Sequence, residues 1–486
     1  MMRQSPSWIF TIGLVAATCL SQGCRAPREI RDPEYADVVN ALAEAPWAGP
    51  QAAVPPVAPP LAGPQPVEVY LEYALSQNPD IQAARKRVEA AANRVPVAAS
   101  LQDPMLGVTA FPAAIQTAAG QQQLTMSASQ QVPWFGKLSM RAGAAEAETN
   151  VARSQLAAAE LEVIEQVKRA YYELYYVQRA IRITEEDQKL LIDLTRIAEA
   201  KYRTGTVSQQ DVLRAQLEAS NLDAELIRLR QQLQSSQAQL AQRLHVSPET
   251  PVGAVEQLPA EQIPGDLDRL YEQAVAARPE LHAQLAALSR DRQTVELARL
   301  NYFPDLTASV TWSDIADQGL SPIANGQDAV GIGVSVNVPL YRKRLDAAVR
   351  ASEAQTTATA RQYDSLRDKT VQEVKDLFVQ ATSQYELIKL FRDDIIPKAD
   401  QTLKVSASAY ETGKTDFLQL VDNWRQLLRY QIMVQRLESQ LQQTLAALER
   451  VVGGELPLEA APAVPQPQPE PLPPTPPVPE AQPATP

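Results

Sequence analysis

The sequence predicts a duplicated, two-part protein in which a rod of long α-helices is joined to a small β-sheet that faces lipid. Three observations predict it. The chain repeats itself, its helical stretches are far longer than a globular domain needs, and its few strands alternate between apolar and small polar residues. The repeat shows in four landmarks that return in order. Asn78-Pro79-Asp80-Ile81 returns as Arg278-Pro279-Glu280-Leu281, and Asp103-Pro104 as Phe303-Pro304. Val132-Pro133-Trp134-Phe135-Gly136-Lys137 returns as Val338-Pro339-Leu340-Tyr341-Arg342-Lys343. Tyr202-Arg203-Thr204-Gly205 returns as Tyr410-Glu411-Thr412-Gly413.

Each half follows one plan. A helix over 68–99, or 266–301, leads to a proline and two strands. A much longer helix follows over 138–202, or 342–410, with no internal proline except Pro397, where a kink is expected. A glycine-containing turn then leads into a helix over 209–244, or 416–451. At ~1.5 Å per residue the long helix reaches about 100 Å. The two shorter helices of each half sum to a similar length, so stacked end to end they match it.

The strands carry the sharper signal. Leu306, Ala308, Val310 and Trp312 share one face, with Thr and Ser on the other. From Val330 to Val338 every even position is Val or Ile and every odd one Gly, Ser or Asn. The first half repeats this with Leu106, Val108 and Ala110, then Leu124, Met126 and Ala128. A soluble sheet with one wet face shows the same alternation. Four such strands facing lipid cannot cover their own edges, however, and lipid does not tolerate open edges. The sheet must be shared among chains; two would supply eight strands and three would supply twelve.

The ends are read from composition. Residues 1–23 carry Arg3, an apolar run over 8–20 that is too short to span a bilayer, and small residues before Cys24, the pattern of a secretory signal. Leu20-Ser21-Gln22-Gly23-Cys24 resembles a bacterial lipoprotein box, although Leu20 stands four residues before the Cys rather than three; Cys24 is the expected lipidation site. Prolines fill 46–66 and again 457–486, a density that leaves extended, solvated chain. The expected division is a signal at 1–23, a lipid-proximal linker at 24–66 and a first repeat at 67–245. An inter-repeat linker at 246–265, a second repeat at 266–453 and a disordered tail at 454–486 complete it.

Charge and motifs exclude several function classes. With 45 Lys and Arg against 57 Asp and Glu, the net charge of −12 disfavours nucleic acid as a partner. Two Cys and two His leave too few ligands for a zinc site or a disulfide framework. His245 and His282 are far apart near helix ends, where a helix-end role outweighs a metal role. No zinc-protease, nucleophile-elbow or phosphate-loop motif occurs, and Gly136-Lys137 lacks the rest of a Walker motif. The expectation is no enzyme and no cofactor.

Together the duplication, the strand pairs between Pro104 and Pro133 and between Pro304 and Pro339, and the two Tyr-x-x-Gly hairpins resemble the TolC-like outer-membrane efflux proteins. The resemblance implies a homotrimer, with a 12-stranded transmembrane β-barrel continued by a 12-helix α-helical barrel in the periplasm. It also implies docking on a periplasmic adaptor (membrane fusion protein) that links to an inner-membrane efflux pump. Gln131-Val132-Pro133-Trp134-Phe135-Gly136-Lys137-Leu138 is more similar to the heavy-metal-efflux branch than to the drug branch. By the same resemblance Asp211 and Tyr410 match a lock between the two hairpins. Asp422 matches a carboxylate of an acidic constriction ring, and Gln419 stands where another carboxylate is often found. Gly205, Thr206 and Val207, with Gly413, Lys414 and Thr415, match the tips that meet the adaptor. Asp211 and Asp416 could instead cap helices; the gate is favoured for Asp211 and the cap for Asp416. The alternative function is a periplasmic coiled-coil scaffold or cell-wall tether held by the lipid.

Overall fold

The structure, a computed structural model, describes residues 35, 61–258, 263–317 and 319–456. Contacts divide the chain into Met1–Val57 and Ala58–Pro486. In the first unit only Tyr35 is described, helical and exposed, so the signal, Cys24 and most of the first linker lie outside the described residues, as does the tail from 457.

The second unit shows the duplication directly. In the first half, α1 (Val67–Gln77) and α2 (Pro79–Ala99) precede β2 (Met105–Thr117) and β3 (Gly120–Val132). Helices α3 (Lys137–Arg203) and α4 (Gln209–Arg243) complete it. The second half runs α5 (Leu267–Ala277), α6 (Pro279–Leu300), β5 (Leu306–Ala316) and β6 (Ala329–Val336). It ends in α7 (Arg342–Leu390), α8 (Ile396–Glu411) and α9 (Phe417–Val452). With 67 residues, α3 is about 100 Å long. It packs along α2, α4, α6 and α9.

Two expected helices are each broken in two. The helices expected over 68–99 and 266–301 stop at Asn78 and Arg278, because the following proline disfavours α-helical backbone in the residue before it. Pro79 then opens α2 at its first position, and Asn78 Oδ1 accepts from the Asp80 amide at 2.8 Å. The break serves the stacking. Asn78 Nδ2 donates to the carbonyl of Arg243, the last residue of α4, at 3.1 Å, so α4 ends where α2 begins. In the second half the end of α9 meets the same junction, where a Cβ on Gly453 would lie 2.6 Å from the Ala277 carbonyl carbon.

The irregularity expected at Pro397 is a π-helical turn, Phe391–Ile395, immediately before α8. Proline has no N–H, and its ring clashes with the carbonyl four residues back. One widened turn accommodates both faults while the helix continues.

The sheet has the order β2-β3-β5-β6, all antiparallel. Register places the apolar residues side by side across all four strands. Val108 pairs with Met126, Met126 with Trp312 and Trp312 with Val330. Leu106 pairs with Ala128, Ala128 with Val310 and Val310 with Ile332. On this face Leu106, Val108, Val310, Val330 and Ile332 are exposed, Ile332 to 85%. The other face carries small polar groups, among them Thr125 and Ser313, whose hydroxyls lie 3.2 Å apart. β2 and β6 each have one neighbour among the described residues. An apolar outer face, a polar inner face and two open edges make this one segment of a closed transmembrane barrel. No described helix is long and apolar enough to cross a membrane.

Both expected linkers contribute a strand, which corrects the reading of the proline-rich stretch over 46–66 as solvated chain to its end. β1 (Gly63–Gln65) pairs in parallel with β4 (Val252–Ala254), and Leu61 is buried. Tyr70 Oη donates to the Gly253 carbonyl (2.9 Å) and accepts from its amide (3.1 Å). Tyr171 Oη donates to the Gln65 carbonyl (3.1 Å) and accepts from the Val255 amide (3.1 Å). Proline-rich chain is already extended. Two phenols and one partner strand therefore suffice to recruit it.

A buried ion pair joins sheet to rod. Lys137, first residue of α3, is 2% exposed; its Nζ lies 2.7 Å from Asp305 Oδ1 and 3.0 Å from the Phe303 carbonyl. The Trp134 amide donates to the same Oδ1 at 2.9 Å, and its indole stacks on Phe303 with centroids 5.4 Å apart. The Trp-Phe-Gly-Lys stretch thus ties the end of β3 to the start of β5.

Candidate functional site

The two hairpin tips have one construction. At the first, the Gly205 amide donates to the Tyr202 carbonyl (2.9 Å) and the Thr206 amide to that of Lys201 (3.0 Å). At the second, Gly413 donates to Tyr410 (3.1 Å) and Lys414 to Ala409 (2.8 Å). This closure needs a left-handed residue, and Gly205 and Gly413 supply it with φ of 74° and 75°. Gly205, Thr206, Gly413 and Lys414 are exposed, while Val207 and Thr415 are half-buried.

Behind the tips lies an apolar cluster drawn from both hairpins, including Leu194, Ala198, Leu222, Leu403, Phe417, Leu420 and Trp424. Tyr410 belongs to it, 2% exposed with its ring 5.5 Å from Phe417. Its hydroxyl is buried and has no hydrogen-bond partner among the described residues. Burial pushes the phenol up to about 12, and the charge of Asp211 adds to the shift. Asp211, in the first turn of α4, is half-buried. The structure therefore brings Asp211 and Tyr410 within electrostatic reach across the hairpins, but no hydrogen bond joins them within one chain.

The other expected gate residues sit on α9. Asp416 is its N-cap, accepting from the Gln419 amide at 2.9 Å. Gln419 is exposed, and its side-chain amide donates to Asn423 Oδ1 at 3.2 Å. Asp422 is exposed and lies 3.3 Å from Arg425 Nη1. The one carboxylate aligned with an acidic ring is thus paired with a cation on its own helix.

Sequence reasoning missed the groups that cross between hairpins. Lys201, near the end of α3, donates to the Tyr410 carbonyl at the end of α8, and its Nζ lies 4.8 Å from the centre of the Tyr410 ring. Arg425 holds Glu218 of α4 with both arms of its guanidinium, Nε to Oε2 at 3.0 Å and Nη2 to Oε1. Trp424 Nε1 donates to Asp187 Oδ1 of α3 at 3.0 Å. Burial pushes Asp187 up to about 6, partly offset by that hydrogen bond. The Asp422–Arg425 spacing is visible in sequence, but these three partners stand more than 200 residues apart. Among the described residues no group of three or more His, Cys, Asp or Glu could hold a metal ion.

Comparison with known proteins matches both halves. The sequence profile of the family described as outer membrane efflux protein matches residues 70–244 and 270–454. The cobalt-zinc-cadmium resistance protein CzcC of Cupriavidus metallidurans is 25% identical over 399 residues, 81% of this chain and 91% of that protein. The outer membrane protein VceC of Vibrio cholerae superposes with a TM-score of 0.67 at 21% identity, covering 80% of this chain and 96% of that one. The open-state MtrE channel of Neisseria gonorrhoeae superposes with a TM-score of 0.65 at 17% identity, covering 80% and 89%. The two structural likenesses show the fold.

Proposed function

Because the chain belongs to the outer membrane efflux protein family, we propose that three copies close one gated exit duct serving a periplasmic adaptor and an inner-membrane pump. The protein is an outer-membrane exit duct for efflux. The observation that carries the closed assembly is the sheet: four strands with an apolar outer face and two open edges are stable in lipid only when copies complete the ring. Three copies supply 12 strands and 12 long-helix positions. The duct does no chemistry, and its driving energy comes from the pump. Cobalt, zinc and cadmium ions are the first cargo to test, since the metal-resistance relative aligns over 91% of its length. The tips carrying Gly205, Thr206 and Val207, with Gly413, Lys414 and Thr415, meet the adaptor. Cys24 carries the lipid.

The gate lies at those tips. Tyr410 supports this reading, because a buried hydroxyl without a partner is costly and is kept where assembly or gating supplies one. Asp211 is a carboxylate whose charge already reaches that hydroxyl. A hydrogen bond to a charged group contributes ~1.5–3 kcal/mol, and threefold symmetry multiplies it. Moving a two-state gate from 1:99 to 99:1 needs ~5.5 kcal/mol, so one kind of contact in three copies suffices. Tyr410→Phe and Asp211→Ala are each expected to raise single-channel conductance in planar bilayers. Unchanged conductance in both would remove them from the gate. Asp422 and Gln419 line the constriction, where the pairing of Asp422 with Arg425 leaves little net negative charge.

A further inference from the structure

Within each hairpin the helices pack on each other, α4 on α3 and α8 on α9, while α3 and α9 form the contact between hairpins. Beside the apolar cluster they share, the outer helices α4 and α8 are each tied to the opposite hairpin by one charged side chain. Arg425 leaves α9 and holds Glu218 of α4. Lys201 leaves α3 and holds the carbonyl that ends α8. The two ties run in opposite directions, one from each hairpin to the outer helix of the other. Neither has been assigned a role by the family match.

We propose that Arg425–Glu218 and Lys201–Tyr410 are paired cross-braces that keep the two hairpins of each chain together, and so set how readily the tip opens. This rests on the reading of the tip as a gate. Three features support it. Glu218 is 6% exposed, and its buried carboxylate is held by one bidentate guanidinium. Arg425 is itself half-exposed and also touches Asp422. Glu218 and Asp422 therefore compete for one cation, and a movement of α9 that favours Asp422 loosens the tie to α4. Lys201 both donates to the Tyr410 backbone and covers its ring, so withdrawing Lys201 uncovers the buried residue of the lock. The braces lie roughly two helical turns apart along the rod. Separating the hairpins must break both.

The test is a double-mutant cycle read as open probability in planar bilayers, with Tyr410→Phe as reference. Glu218→Gln and Arg425→Gln are each expected to raise open probability about tenfold, the loss of one charge-assisted hydrogen bond. The double variant is expected to match the single ones, because both remove the same tie. Arg425→Lys, keeping the charge but not the bidentate geometry, should fall between. Lys201→Met leaves no buried charge behind and reads the second brace independently, even if Arg425→Gln fails to assemble. Effects that multiply in the double variant would show that the two residues act separately and overturn the brace. Tyr410→Phe opening the duct while no brace variant does would overturn the braces and leave the gate standing. No effect from any variant would overturn both.

Discussion

Replacing Lys137 by Ala is expected to destabilise the protein by ~3–5 kcal/mol, the usual cost of leaving one partner of a buried ion pair uncompensated. Asp305 would keep the Trp134 amide but lose the cation that it binds, and the Phe303 carbonyl would lose a donor. The loss falls where β3 and β5 pass into the helices, so sheet and rod should both feel it. Denaturant titration of the detergent-solubilised protein measures the shift, and Lys137→Met with Asp305→Asn should recover most of it. A pH dependence accompanies the pair. Burial works against the Asp305 charge, but Lys137 and the Trp134 amide outweigh it and hold the carboxyl below its ordinary value. A group so depressed stabilises the fold fully above the ordinary carboxyl value of ~4, and the contribution is lost as pH falls through the folded value. Lys137→Ala should therefore lose less stability on acidification than the wild type.

Asp187→Asn is expected to act in the opposite direction and to stabilise. Asp187 is 7% exposed, and burial pushes its carboxyl up to about 6. In the unfolded chain it ionises near ~4, so the folded state holds the proton more tightly. Above pH 6 ionisation inside the fold costs about two units of pKa, or ~3 kcal/mol. Below ~4 the group is neutral in both states and costs nothing. Asn keeps an oxygen for Trp424 Nε1 and removes the charge. The variant should gain up to ~3 kcal/mol at pH 8 and nothing at pH 4, measured by denaturant titration at both. An equal gain at both would mean that packing, not charge, is responsible.

What the sequence made legible follows from how far each signal travels along the chain. The strands were readable because alternation is local, and the register carries it across the sheet: Val310 meets Ile332 just as both sequences place them on the apolar face. The tips were readable because a left-handed Gly after a Tyr three residues earlier is a local demand of the turn. The breaks at Asn78-Pro79 and Arg278-Pro279 carried a local signal too, yet the apolar pattern running through them masked it. β1 and β4 were hidden, because proline density reports missing donors and not the Tyr70 and Tyr171 hydroxyls that serve the remaining groups. The tip residues that hold the hairpins together were the least legible. Lys201 binds a backbone carbonyl, which every residue has, and nothing in the pattern around Glu218 points to Arg425. Asp416 was resolved as a cap because its partner, the Gln419 amide, is three residues away.

The most direct test of the exit duct is single-channel recording of the purified mature protein in planar bilayers, with its oligomeric state measured in the same detergent. A duct closed by three copies of this sheet predicts trimers and discrete openings of uniform size. Folded protein, shown to be present in the bilayer, that never conducts would contradict the duct and favour a lipid-held periplasmic scaffold.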